Sequence, residues 1–118
     1  MRLQIHMGTE EEYHAAIPCC PEGDDLRAYY EGKLEAASDR GSDSIDFKAI
    51  SAGEKTSDTF RDMGIIEDAV MTFLREHDKP ETVRIICTDE EIARLYKVVY
   101  NFRFADTKAD RMEDSNWD

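Results

Sequence analysis

The stretch from Ser44 to Asp89 constrains this chain most, because it reads as strand, turn, helix and strand within one βαβ unit. Ile45, Phe47 and Ile50 mark a short β-prone run. That run ends at Ser51-Ala52-Gly53, where a glycine lets the backbone turn sharply and approach a ligand closely. Paired apolar positions at Ile65/Ile66, Ala69/Val70 and Phe73/Leu74 predict a helix that ends near His77, before Pro80. Thr82 to Cys87 follows as a buried-strand run. Open α/β sheets take ligands at the carboxyl ends of their strands, so the turn after Ile50 is the first place to look for a site.

Elsewhere the patterns are shorter. Leu3, Ile5 and Met7 alternate with polar residues and predict a half-buried strand. Tyr13 to Ile17 reads as a second short strand, ended by Pro18 and Pro21. Asp24 or Asp25 caps a helix whose stripe is Leu26, Tyr30, Leu34 and Ala37, and Gly41 stops it. Residues 54–63 are polar and lack a period, which predicts a loop. Phe60 is expected beneath the glycine turn as a plug, since burying a Phe side chain gains about 1.5–3 kcal/mol. Thr88-Asp89-Glu90-Glu91 reads as a capping box that opens a third helix with Ile92, Leu95, Tyr96, Val99 and Phe102 on its buried stripe. The order ββαβαβα predicts an α/β fold: a small three-layer mixed sheet with helices on both faces. Residues 1–104 form one domain, and 105–118 read as a charged C-terminal tail.

Composition narrows the partners. A length of 118 residues suits one domain, and no apolar run approaches the ~18–20 residues that span a bilayer. Met1 to Met7 is too short for a signal-peptide core, so a cytoplasmic location without membrane association is expected. Cys19, Cys20 and Cys87 are an odd set and suit reduced thiols. With 15 basic and 27 acidic residues the formal net charge is −12, which excludes nucleic acid as an expected partner. An anion site on such a chain must rely on local backbone N–H groups and helix dipoles.

Other chemistry is thin. Cys19, Cys20 and His14 offer zinc-type ligands, but no second ligand pair stands at suitable spacing, so no metal is expected. A Cys–His nucleophile would lack a third orienting group. Asp24, Asp25, Glu90 and Glu91 suit helix starts, while Asp58 and Asp62 either orient a water or simply solvate the loop. Of two adjacent tyrosines, Tyr30 fits the core stripe and Tyr29 is left exposed or interfacial.

In Tyr13-His-Ala-Ala-Ile-Pro18, Asp25-Leu-Arg-Ala-Tyr-Tyr30, Ser44 to Gly53, and the helix–strand–helix through Asp89-Glu90-Glu91, the chain resembles the second half of a macro domain, the ADP-ribose-binding α/β module. The resemblance runs from about Tyr13 to Phe102. It implies a ligand such as ADP-ribose or a related nucleotide, with Ser51, Ala52, Gly53, Lys55 and Gly64 as phosphate-loop candidates. The chain also departs from that pattern. It lacks the early strand whose aspartate contacts adenine and the asparagine-rich loop around the distal ribose; its two asparagines are Asn101 and Asn116. No second glycine follows Gly53 before Gly64, Glu54 adjoins the turn, and Thr88 stands where an aromatic is often found. The expectation is therefore a non-catalytic module without cofactor, with degenerate or weak nucleotide binding and an assembly role. The alternative is an ADP-ribose hydrolase. A homodimer that covers strand edges left by the missing half is also expected.

Overall fold

Three strands, β1 (Leu3–Met7), β2 (Ser44–Lys48) and β3 (Thr82–Cys87), form a sheet in the order β1-β3-β2. The computed structural model describes residues 2–104 apart from Glu22, Ala52, Glu54, Lys55 and Ser57. Four helices occur among these residues: α1 (Glu10–Ala15), α2 (Leu26–Asp39), α3 (Thr59–Glu76) and α4 (Glu90–Phe104). The chain is α/β, as its alternating patterns predict. Both strand pairings are parallel, with Ile85 of β3 opposite Ile5 on one side and Phe47 on the other. The expected mixed sheet is thus a parallel one, because helical connections return the chain to the same end before each strand. No helix among the described residues is long and apolar enough to cross a membrane. The tail expected over 105–118 lies outside the described residues.

The two faces of the sheet differ. Leu3, Ile5, Ile45, Phe47, Val83 and Ile85 point one way and join Tyr30, Leu34, Met63, Val70, Leu74, Ile92, Tyr96 and Val99 of α2, α3 and α4 in a single core. The alternate positions on the other face are mostly polar. There Arg84 makes a two-pronged bond to Asp46 (2.9 and 2.8 Å), and His6 Nε2 lies 3.1 Å from Glu12 of α1. Helices cover both faces, but unequally: three lie on the apolar side and the six-residue α1 on the polar side.

Tyr13 to Ile17 is not a strand, apart from its last residue. Thr9 and Glu12 form a capping box that starts α1, and Tyr13 falls inside the helix. The chain then passes the outer edge of β2, where Ile17 makes one parallel bridge to Phe47. Its N–H donates to Asp46 O at 2.9 Å and its carbonyl accepts from Lys48 N–H at 2.8 Å. The chain thus moves out across the polar face and steps back, through α2 and α3, across the apolar face. That division keeps the crossovers of one hand.

Helix ends explain the remaining differences. Asp25 caps α2 through Ala28 N–H at 2.9 Å. Gly41, at φ 68°, closes it in a Schellman motif, with Ser42 N–H on Ala37 O and Gly41 N–H on Ser38 O. α3 begins at Thr59, inside the expected loop, where the Thr59 hydroxyl accepts from Thr56 N–H and the Thr56 hydroxyl accepts from Asp58 N–H. From that start, helical spacing buries Thr59, Met63 and Ile66 and turns Phe60 outward, 48% exposed, so Phe60 is not a plug. Asp89, not Thr88, caps α4 by accepting from Ile92 N–H at 3.1 Å. With Ile92, Ala93, Tyr96, Val99 and Tyr100 facing the core, Phe102 falls on the outer side of α4, 84% exposed and no part of the buried stripe.

Two side chains hold the packing in ways no local pattern announces. The Arg2 guanidinium donates to the carbonyls of Leu74, His77, Asp78, Pro80 and Glu81, so it closes the end of α3 and the turn into β3. Arg27 of α2 pairs with Asp68 of α3. Glu67, by contrast, is fully buried on α3, and neither carboxylate oxygen has a hydrogen-bond partner among the described residues. Burial pushes its carboxyl well above the ordinary value, and Arg103 only partly opposes this.

Arg2→Ala leaves several carbonyls without their charged donor. It is expected to cost about 2–3 kcal/mol, or roughly 10 °C in Tm by thermal melts followed by circular dichroism. Glu67 carries the opposite sign. Its carboxyl holds a proton in the folded chain at a pH where the unfolded chain has released it, so stability falls as pH rises above about 4.5 and through the raised folded value. Glu67→Gln is expected to melt higher than the parent at pH 7–8 and to lose that advantage near pH 4. A parent melt that does not weaken with rising pH across that range refutes the assignment.

Candidate functional site

The carboxyl end of β2 is clamped by side chains from three directions. Ala49 N–H continues the ladder to Ile86 O at 3.0 Å. The Cys19 thiol donates to Lys48 O (3.3 Å), the Tyr13 hydroxyl donates to Ala49 O (3.2 Å), and Ile50 N–H donates to the Tyr96 hydroxyl (3.2 Å). Tyr96 is fully buried on α4, and a buried phenol that finds no partner is costly, so this bond fixes both α4 and the exit from the strand.

Two clefts open around this point and share Ile50. The larger, about 570 Å³, lies among Cys19, Cys20, Leu26, Tyr30 and the first turns of α3, with Thr56, Asp58, Thr59, Arg61 and Asp62 on that side. The smaller, about 200 Å³, is lined by Tyr13, Ala49, Ile50, Ser51, Thr88, Asp89 and Ile92. In a doubly wound sheet the expected crevice lies where successive connections leave on opposite faces, here between β1 and β3. Gly8 packs closely there. Gly8 N–H bonds Cys87 O at 2.9 Å, and a Cβ at Gly8 would stand 2.8 Å from Ile86 and 3.2 Å from Glu12. The two clefts that share Ile50 lie one strand further over.

The larger cleft is acidic. Asp24, Asp58 and Asp62 line it, and Arg61 lies 3.8 Å from Asp58 and 3.3 Å from Asp62. Asp58 makes no capping bond to the first-turn N–H groups of α3. At the smaller cleft the corresponding helix start is occupied by the chain's own Asp89 carboxylate. Four side chains nearby, Cys20, Cys87, Tyr30 and Tyr96, are shifted toward their neutral forms. Burial, then Asp24 and Asp25, pushes the Cys20 thiol up. Burial pushes the Cys87 thiol up to about 12 and raises the Tyr30 and Tyr96 phenols.

The sequence candidates disperse. Ser51 lines the smaller cleft. Gly53 is exposed and lines neither cleft; a Cβ there would meet nothing within 4 Å among the described residues. Ala52 and Lys55 lie outside the described residues. Gly64 is not at a helix start: it sits in the second turn of α3, buried, where a Cβ would stand 2.6 Å from the Arg103 guanidinium. Its absent side chain makes room for α4. His14 is exposed on α1 with Glu10 3.7 Å away, and among the described residues no group of three His, Cys, Asp or Glu is placed to hold a metal. Sequence patterns missed Tyr13, Tyr96 and Arg61. For Tyr96 a signal existed, since a phenol on a core stripe must find a polar partner.

No protein-family model matches this chain, and no curated protein matches it in sequence.

Tyr96→Phe removes the acceptor of Ile50 N–H. It is expected to cost about 1–3 kcal/mol and to speed proteolytic cleavage after residue 49, read by limited digestion and mass spectrometry. Digestion that begins elsewhere and is no faster than in the parent chain counts against the clamp.

Proposed function

We propose that this chain is a macro-like α/β binding module, non-catalytic, that takes ADP-ribose or a related nucleotide weakly across the carboxyl end of β2. The observation that carries the reading is the pair of adjoining clefts sharing Ile50, at the strand end where the resemblance in Ser44 to Gly53 places its phosphate loop. An elongated ligand could occupy both, with a phosphate near Arg61 and the start of α3. Weakness follows from charge. Three aspartates line the larger cleft, Asp89 fills the start of α4, and the chain carries a net −12. The absence of catalysis is supported by the raised thiols and phenols, none of which is an activated nucleophile or base at neutral pH.

Isothermal calorimetry with ADP-ribose at low salt tests this. The expected Kd is roughly 0.1–1 mM, or about −4 to −5.5 kcal/mol, and Arg61→Ala weakens it several-fold while leaving the melt unchanged. No heat at millimolar ligand removes the nucleotide reading. Turnover of an ADP-ribosylated peptide removes the non-catalytic one.

A further inference from the structure

Pro18-Cys19-Cys20-Pro21 puts two thiols on consecutive residues, and both residues line the larger cleft, half-buried. The segment is held in place by its surroundings. Ile17 bridges Phe47, the Tyr29 hydroxyl donates to Pro18 O at 2.8 Å, and Pro21 restricts Cys20 to extended backbone. The two thiols act on the same neighbours: after burial, the charge of each raises both the Tyr29 and the Tyr30 phenols. The third thiol, Cys87, is buried in the core and lines neither cleft.

What such a pair can take is set by what surrounds it. Structural zinc needs four ligands, and among the described residues no three His, Cys, Asp or Glu are placed to hold a metal. A direct disulfide fits poorly, because neighbouring Cα atoms lie about 3.8 Å apart and disulfides usually span roughly 4.4–6.8 Å. One atom inserted between the sulfurs relieves that mismatch. A cation bound by thiolates must expel two protons, and here burial, then Asp24 and Asp25, holds the Cys20 proton in place. A trivalent organoarsenical has no such requirement. Its arsenic joins two thiols and keeps carbon as the third substituent, while its oxygen leaves with both thiol protons as water. The adduct is uncharged, so the aspartates that repel a phosphate do not oppose it. Leu26, Ile50 and Ile66 give the organic group an apolar wall.

We propose that Cys19 and Cys20 form a dithiol capture site for trivalent, monosubstituted arsenicals, with the organic substituent seated in the larger cleft. Two As–S bonds form and the arsenic–oxygen bond breaks; both S–H protons end on that oxygen, and arsenic stays trivalent. Cys19 exchanges its hydrogen bond to the Lys48 carbonyl for one of the As–S bonds. This does not depend on the nucleotide reading.

Intact mass spectrometry of the full reduced chain with equimolar phenylarsine oxide tests the site. One phenylarsenic group per chain is expected, with one water lost and two titratable thiols consumed. Displacing it is expected to need roughly a hundredfold more glutathione than in Cys19→Ser or Cys20→Ser, because the second thiol acts intramolecularly. Cys87→Ser is expected to behave as the parent does. Guanidinium chloride separates the folded site from the bare Cys-Cys pair: the folded chain is expected to resist glutathione about tenfold better than the denatured one, since its thiols are already positioned. No adduct, an adduct displaced as easily as in the single-serine variants, one lost in Cys87→Ser, or equal resistance in folded and denatured chains each overturns the proposal.

Discussion

The Arg2 guanidinium is the interaction on which the rest of this structure rests. It gathers carbonyls from the end of α3 and from the turn into β3, groups that a helix terminus and a tight turn leave without internal donors. One cation at the start of β1 therefore fixes the relative height of α3 and of the two strands that pair as neighbours. Val83 N–H completes the hook by donating to the Arg2 carbonyl at 2.8 Å. With β3 held centrally, its two sides are free to accept β1 and β2 in parallel.

From that arrangement the unequal faces follow. Three helices crowd the apolar face, and the polar face carries one short helix with an ionic network of His6, Glu12, Arg84 and Asp46. Packing α1 against Ile86 requires Gly8 to have no side chain. The larger of the two clefts lies beyond β2, bounded by the residues that follow Ile17 and by the start of α3.

Most of the elements were legible from local pattern. Alternation in Leu3 to Met7, the run Thr82 to Cys87 and the stripes of α2 and α3 are each set by which side chains must leave water. The candidate site was legible in its location, the chain after Ile50, but not in its residues. Ser51 borders a cleft; Gly64 is a packing position for Arg103. Tyr13 and Tyr96 act there through hydroxyls that reach across more than thirty and forty positions of chain, and no window of sequence contains both partners. The misreading of Tyr13 to Ile17 had a local remedy, the Thr9 and Glu12 box, which outweighs weak alternation.

By itself the sequence determined the α/β class, the approximate extent of its strands and longer helices, and its strongly acidic surface, because each depends on periodicity, capping or composition read within a few turns of chain. The tertiary structure alone decided that the sheet is parallel, that two clefts meet at Ile50, that Glu67 is buried without a hydrogen-bond partner among the described residues, and that Phe60 and Phe102 face outward. Those outcomes depend on which elements meet. Close packing settles that by excluding every arrangement but one, and the excluded neighbours are distant in sequence.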